Sequence, residues 1–284
     1  MSPDMNTQIT KLCRLALVLL LALVPALVRA QTTSQQSANP NRMIVRLSHP
    51  SQPGRIRLQM LGGNITVRGY SGNEVIIESA GEHTREAGVP EEARGMRRLT
   101  QPAGLGADED NNVVTIHTGL EPKNIDLQVP ANSVLSLKTL TGNIHVQGVF
   151  GELDVESSNG GITLDQVGGS IVAHALNGSI TGNVVRLDAD KPFSFSTLNG
   201  RIDVTLPGSM HANLNMRSDQ GDIYLDQGFD FKSLATSSGG ISKSESNGMR
   251  KLKMDNTIHG AINGGGVEIN IRSFNGTILV HKGK

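Results

Sequence analysis

Apolar and polar residues alternate along most of the chain from Ile56 to its C-terminus. In one typical segment, Leu135 and Leu137 precede Gly142, and Ile144 and Val146 follow it, with polar residues between the members of each pair. A period of two predicts short β-strands that bury one face and expose the other. The 3.6-residue period of an amphipathic helix is absent from these segments, so the pattern indicates an all-β protein.

A Gly-x-Ile tripeptide marks the corner between paired strands and returns at steps of 16 to 22 residues from Gly142 onward. A period near 20 is typical of stacked arrays, in which each unit buries its apolar face against its neighbours. We align nine copies, which begin at Gly63, Gly142, Gly160, Gly178, Gly200, Gly221, Gly239, Gly260 and Gly276.

The aligned copies predict one inward-facing column for each apolar position. Residues seven and five before the glycine are mostly apolar, and the residue two after it is always isoleucine. The copies at Gly239 and Gly260 lack this preceding pattern, so we expect residues 230–260 to bulge or to loop outward. A stack of nine coils would form a rod about 40 Å long at the usual strand spacing.

Asparagine often precedes the corner glycine, and Asn-Gly tolerates the positive φ that a tight bend requires. Such a corner fits either a hairpin in a β-sandwich or meander, or a β-solenoid (β-helix). The short period favours a single-domain solenoid, in which stacked asparagines form a hydrogen-bonded ladder. The predicted structural corner and ladder residues are Asn159, Gly160, Asn177, Gly178, Asn199, Gly200, Asn275 and Gly276.

The N-terminal residues have the pattern of an export signal. Lys11 and Arg14 precede an apolar run, and Val28-Arg29-Ala30 offers a cleavage site before Gln31. We therefore predict a signal peptide at 1–30, a flexible linker at 31–42 and a β-repeat domain at 43–284. Within that domain, the charged segment 82–112 is predicted to be a surface loop excursion. The location would be the periplasm, the cell surface or the medium, with no membrane span after cleavage.

The segments Ile125–Pro130, Leu135–Ile144 and Gly151–Val155 resemble the bacterial putative-adhesin domain of unknown function, a head-GIN-like family with β-strand repeats. The resemblance spans roughly residues 43–284 and is best over 125–228. It implies a secreted or envelope-attached β-helical domain, and it carries no catalytic residues to transfer.

Composition and motifs supply no sign of catalysis or of a cofactor. The chain has 26 basic and 26 acidic residues, so no excess of positive charge indicates nucleic acid as a partner. None of the eight histidines has a neighbour at a ligand spacing, so we expect no metal. Asp165, Asp203 and Asp226 are the acids that a polysaccharide-cleaving β-helix would need, and the alignment places Asp165 and Asp226 on coils too far apart to act together.

The sequence therefore predicts a non-catalytic, exported binding or scaffold domain that is adhesin-like and contacts an unidentified envelope protein or polysaccharide. Two alternatives stay open at this point. One is a sensor or regulator of envelope stress, and the other is a polysaccharide-active β-helix enzyme. The residues do not specify the ligand or the oligomeric state.

Overall fold

The computed structural model describes residues 42–80, 105–119, 122–188, 191, 193–236, 241–246, 249–254 and 257–284. The predicted signal peptide and all but the last residue of the predicted linker lie outside these ranges. Every regular element in the described residues is a β-strand. In chain order the strands are β1 Arg42–Arg46, β2 Arg55–Met60, β3 Ile65–Tyr70, β4 Glu74–Ala80, β5 Gly106–Asp110, β6 Val113–His117, β7 Asn124–Pro130, β8 Val134–Thr141, β9 Ile144–Gln147, β10 Glu152–Asn159, β11 Ile162–Asn177, β12 Ile180–Leu187, β13 Phe193–Asn199, β14 Ile202–Leu206, β15 Ala212–Ser218, β16 Ile223–Leu225, β17 Phe231–Thr236, β18 Ile241–Ser246, β19 Met249–Met254, β20 Thr257–Ile262, β21 Val267–Asn275 and β22 Ile278–Lys282.

Paired strands on either side of a glycine corner build a β-solenoid, as the period predicts. The strands before the corner form a first ladder, in the spatial order β5, β6, β2, β8, β10, the second half of β11, β13, β21, β15, β20 and β17. The strands after the corner form a second ladder, in the order β1, β4, β7, β3, β9, the first half of β11, β12, β14, β22 and β16. Pairing is parallel throughout the middle of both ladders, whereas a meander would pair neighbouring strands antiparallel.

The core is a set of like side chains stacked rung upon rung. On the second ladder, eight isoleucines lie in register, and all but the terminal Ile223 are buried. The order of this column is Ile125, Ile65, Ile144, Ile162, Ile180, Ile202, Ile278 and Ile223. The first ladder faces it with stacked apolar residues that include Phe193 on Ile171 and Ile269 on Phe193. The expected isoleucine spine is therefore present.

The spine differs from the prediction in its membership. Ile241 lies in the separate β18–β19 hairpin, and Ile262 is buried in the antiparallel strand β20, so neither follows a coil corner. Ile125 is an additional member, although Lys123 stands where the tripeptide would have begun with glycine. The expected departure near 230–260 is thus a change from parallel coils to antiparallel strands. Two further Gly-x-Ile sequences lead into the first ladder instead of the second. Gly54 precedes β2, and Gly169 lies within β11, where the half that joins the first ladder begins.

The coils do not stack in the order of the sequence. The last coil, β21–β22, lies between the β13–β14 coil and the β15–β16 coil. The first coil, β2–β3, is likewise enclosed, between β6–β7 and β8–β9. Both ends of the repeat region are therefore built into the interior of the stack.

Antiparallel strands and short or charged strands cover the ends of the ladders. β5, with the sequence GADED, forms one edge of the first ladder, and the arginine-flanked β1 forms one edge of the second. Charged and short edge strands discourage further strand pairing. The predicted excursion therefore ends earlier than residue 112, because Asn111 and Asn112, with φ of 49° and 64°, turn β5 back onto β6.

Candidate functional site at the glycine corner

The glycine at each corner is required by close approach of the next coil. A Cβ atom at Gly178 would lie 2.0 Å from the carbonyl oxygen of Gly160, and one at Gly200 would lie 2.1 Å from that of Gly178. The sequence suggests a different reason, a positive φ at the corner. Among the aligned corner glycines that the structure describes, φ is positive only at Gly63 and Gly142. The corner glycines therefore form a column of touching backbones.

A column of buried hydroxyl groups lies three residues before the corner glycines. The hydroxyl of Ser157 donates to the carbonyl oxygen of Gly142 at 3.0 Å, and that of Thr197 donates to Gly178 at 2.9 Å. Ser273 and Ser218 repeat the contact further along the stack. These polar side chains are buried, and each bond supplies a partner to a backbone carbonyl at the tight corner. In the alignment of the repeats within this chain, these residues are recognisable only as small polar residues inside an apolar pattern.

Asparagines on the outside of the corner join three successive coils. The amide nitrogen of Asn177 donates to the side-chain oxygen of Asn159 at 3.1 Å, and that of Asn199 donates to Asn177 at 2.8 Å. Asn275 lies in register with Asn199 on the next rung. Each amide can donate to one neighbour and accept from the other, which suits an uninterrupted ladder.

A second asparagine column, which the sequence analysis missed, lies one residue after the corner position in the N-terminal half, where that position is Gly63, Gly142 or Lys123. Here the side-chain oxygens of Asn124, Asn64 and Asn143 accept backbone N–H groups from the following rung, at 2.8 to 2.9 Å. The signal was present in the Gly-Asn-Ile form of the tripeptide at Gly63 and Gly142. Asparagine side chains therefore bond neighbouring coils after the corner glycine in the first coils and before the corner glycine in the later coils.

Next to the asparagine ladder, exposed apolar side chains form a straight row, two residues before the glycine. Leu61, Leu140, Leu176, Leu198 and Phe274 are 39 to 53% exposed, although all are large apolar residues. The paired neighbours on either side place Leu176 beside Leu198 and Leu198 beside Phe274. Ser158 occupies the one intervening rung, so the row spans six rungs, or about 24 Å. We call this set of five residues the apolar row.

The outer face of the first ladder, beside the apolar row, is polar and is bonded along the stack. The ammonium group of Lys138 donates to Glu156 at 2.8 Å, which raises the pKa of Lys138 and lowers the pKa of Glu156. His174 and Ser196 are bonded at 2.8 Å two rungs further on. These contacts order the surface next to the row without an excess of either charge.

The acids that a glycoside-cleaving enzyme would need are spread along the second ladder. Asp165 accepts hydrogen bonds from Gln147 and Asn183, while Asp203 is paired with Arg201 and, at 3.2 Å, with His281. The register places Asp165 and Asp226 four rungs apart, or about 19 Å, and Asp203 about 12 Å from either, whereas catalytic carboxyl pairs lie within about 10 Å. Backbone N–H groups of Gly228 and Lys282 hold the pKa of Asp226 below its usual value.

The described residues also contain no cluster of three or more histidine, cysteine, aspartate or glutamate side chains that could hold a metal ion. Within the same residues, no helix has the length and apolar character needed to cross a membrane.

Comparison with known proteins places the chain in a family. The Toastrack DUF4097 family model matches residues 31–263. The chain belongs to the Toastrack DUF4097 family. The Toastrack match ends within the loop after β20, although the following coil, β21–β22, occupies an interior position in the stack.

Two solved structures are similar to this Toastrack chain at low identity. A putative cell adhesion protein from Clostridium sporogenes is 10% identical, with a TM-score of 0.39, covering 85% of this chain and 99% of that one. A putative adhesin from Bacteroides fragilis is also 10% identical, with a TM-score of 0.30, covering 84% of this chain and 95% of that one. No curated protein matches the chain.

Proposed function

We propose that this Toastrack protein is a non-catalytic, exported and adhesin-like binding domain of the cell envelope, which docks a partner protein along the apolar row. The observation that carries the proposal is the alignment of Leu61, Leu140, Leu176, Leu198 and Phe274 on one exposed corner. Single exposed apolar residues are ordinary on protein surfaces, but an aligned set is typical of an interaction site.

The row is held in a rigid frame. The side chains of Leu176 and Leu198 lie between the asparagine ladder and the polar outer face, and their backbones are paired on both sides. A partner therefore meets a surface that is already ordered, so little conformational entropy is lost from this side on binding. An apolar strand edge or helix face of a protein matches such a row better than a polysaccharide does, because few aromatic rings are offered here for sugar stacking.

The alternative of a polysaccharide-active enzyme is less well supported. Asp165 accepts hydrogen bonds from the amides of Gln147 and Asn183, and Asp203 is paired with Arg201 and, at 3.2 Å, with His281. Both carboxyl groups therefore already have partners within the ladder. Their separation also exceeds the reach of a carboxyl pair. A regulator of envelope stress would contact its partner through the same row. That alternative therefore differs from the proposed function in the identity of the partner and not in the surface that binds it.

Site-specific photo-crosslinking in cells tests the proposal. A photoreactive residue at position 176 is expected to yield a discrete protein adduct, which excess unlabelled wild-type protein suppresses. The same probe at Thr181, which is exposed on the opposite ladder, is expected to yield none. Equal labelling from both positions, or adducts to polymer alone, would contradict docking of a protein along the row.

A competition experiment supplies the matched control. Leu176→Asn/Leu198→Asn protein should fail to suppress the adduct, because both changes remove apolar surface from the row. Val185→Asn protein should suppress it as wild type does, since Val185 is equally apolar and 48% exposed but lies off the row. If the double variant competed as well as wild type, the row would not be the docking site.

A further inference from the structure

A recess of about 360 Å³ opens on the outer face of the first ladder near its N-terminal end. It lies across β6, β2 and β8, at the level where β6 ends at His117 beside Gln59. The recess is lined by Arg57, Gln59, Thr115, His117, Ser136 and Lys138 with neighbouring backbone. Gln59 and Lys138 lie two residues before Leu61 and Leu140 of the apolar row, so the recess adjoins the row. The inference below does not depend on the function proposed for that row.

The register arranges these side chains as two short rows across three strands. Thr115, Arg57 and Ser136 lie side by side, so a hydroxyl group stands on each side of the guanidinium-bearing residue. Gln59 lies beside Lys138 in the second row, and His117 ends β6 on its other side. Neighbouring strands are about 4.8 Å apart, so one small ligand can contact all three strands.

Among the residues that the structure describes, the lining carries positive charge and hydrogen-bond donors and contains no carboxylate. In the described part of the chain, Arg57 has no carboxylate partner. Lys138 and His117 are paired outward, with Glu156 at 2.8 Å and Asp108 at 2.9 Å. Of the described lining residues, Arg57 is therefore the cation whose charge is not offset by a carboxylate.

Acidic residues limit the size of the anion that can enter. Asp154 lies beside Ser136 on the next rung, and Glu156 lies beside Lys138. An extended polyanion that crossed the recess would meet these carboxylates at close range, which is unfavourable. A single tetrahedral oxyanion could stay within the reach of the arginine fork and the flanking hydroxyl groups.

We propose that this recess binds one phosphate group, carried either by a soluble phosphate ester or by a lipid headgroup. The Arg57 guanidinium would donate to two phosphate oxygens, and Thr115 and Ser136 would donate through their hydroxyl groups. Lys138, whose ammonium group also bonds Glu156, would supply a further donor. The class of ligand follows from the hydrogen-bond donors of the recess. They are the planar guanidinium of Arg57, the ammonium group of Lys138, and the neutral hydroxyl groups of Thr115 and Ser136.

Titration with inorganic phosphate, followed by backbone amide NMR, tests the site. We expect saturable shifts at Arg57, Thr115 and Ser136, which weaken as ionic strength rises. Arg57→Gln should weaken binding about tenfold or more, because it removes charge-assisted hydrogen bonds. Arg272→Gln is the matched control, since Arg272 is also exposed on the first ladder but lies far along the stack, and it should bind as wild type does.

Two further probes distinguish the sources of the phosphate. Glycerol 3-phosphate tests a soluble ester, and vesicles with or without phosphatidylglycerol test a headgroup; an Arg57-dependent response to either supports the proposal. Shifts that do not saturate, or equal weakening by Arg57→Gln and Arg272→Gln, would overturn it. Near-identical far-UV circular dichroism of the two variants excludes misfolding as the cause.

Discussion

The hydroxyl of Ser273 donates a 3.1 Å hydrogen bond to the carbonyl oxygen of Gly200, although the two residues are 73 positions apart. Between coils that follow one another in the sequence, the same contact joins residues only 15 positions apart, as for Ser157 and Gly142. The difference arises because the C-terminal coil is inserted between two coils that precede it in the chain. Its pairing therefore depends on contacts of long sequence separation, which form late and slowly in folding.

Removal of residues 267–284 should disrupt the stack far more than loss of an end coil would. β13 and β15 would each lose a parallel partner in the interior of the first ladder. We expect loss of the cooperative unfolding transition, measured by circular dichroism in denaturant.

The control for this truncation replaces residues 241–254 by a short Gly/Ser linker. In the described residues β18 and β19 pair only with each other, so this change should leave the midpoint nearly unchanged. A cooperative unfolding transition in the truncated protein would contradict the interior position of the β21–β22 coil.

The hydroxyl column predicts opposite effects at two neighbouring positions. Ser157→Ala should destabilise the protein by about 1 to 3 kcal/mol, because it leaves the Gly142 carbonyl without its buried donor. Ala175 lies in register between Ser157 and Thr197 but has no hydroxyl. Ala175→Ser should therefore add a donor toward Gly160 and stabilise the protein by about 1 kcal/mol. Chemical denaturation measures both; a destabilising Ala175→Ser would show that the corner has no room for the bond.

The glycine column predicts a steric cost that depends on position. Gly178→Ala should destabilise the protein by about 3 kcal/mol, because its Cβ would lie 2.0 Å from a backbone oxygen that cannot easily move. Gly106→Ala is the matched control, since no atom lies within 4 Å of a Cβ at that position. Thermal unfolding of the two variants compares them. Equal stabilities would mean that the corner glycines are not in contact.

Acid should weaken the N-terminal cap through Glu109. Partial burial opposes ionisation, but hydrogen bonds from the Ser48 hydroxyl and from the N–H groups of Asn112 and Ser48 outweigh it and lower the pKa of Glu109. Because the folded-state pKa lies below the unfolded one, the stabilisation is present above the unfolded pKa and is lost as pH falls through the folded pKa. Glu109→Gln should cost about 1 kcal/mol at neutral pH, and the cost should shrink in acid. A cost that is constant with pH, measured by urea unfolding, would contradict this role.

The sequence predicts the cross-section of the solenoid well. Period-two alternation identifies the buried positions, and the recurring Gly-x-Ile identifies one corner and the isoleucine that follows it. Ile65, Ile144 and Ile162 stack as the alignment implies. Physically, the contacts within one rung are local, so the alternation of a short segment is sufficient to specify them.

The order of the coils was not predictable on the same grounds. Every coil offers isoleucine at the same position, so Ile202 packs equally well on Ile278 or on Ile223. The pattern carries no information about which of the two is its neighbour. The recess at Arg57 escaped prediction for the same reason, because it depends on Thr115 being placed beside Arg57 by out-of-order stacking.

Engineered disulfides test the out-of-order stack most directly, in protein whose single natural cysteine, Cys13, is replaced by serine. Ser196 pairs in register with Arg272 on β21, while Arg217 lies one rung further, on β15. Adjacent rungs bring Cα atoms to about 4.8 Å, within disulfide range, and two rungs separate them by nearly 10 Å, beyond it. Under mild oxidation, Ser196→Cys/Arg272→Cys should form the bond and Ser196→Cys/Arg217→Cys should not. The reverse result would show that the coils stack in the order of the sequence.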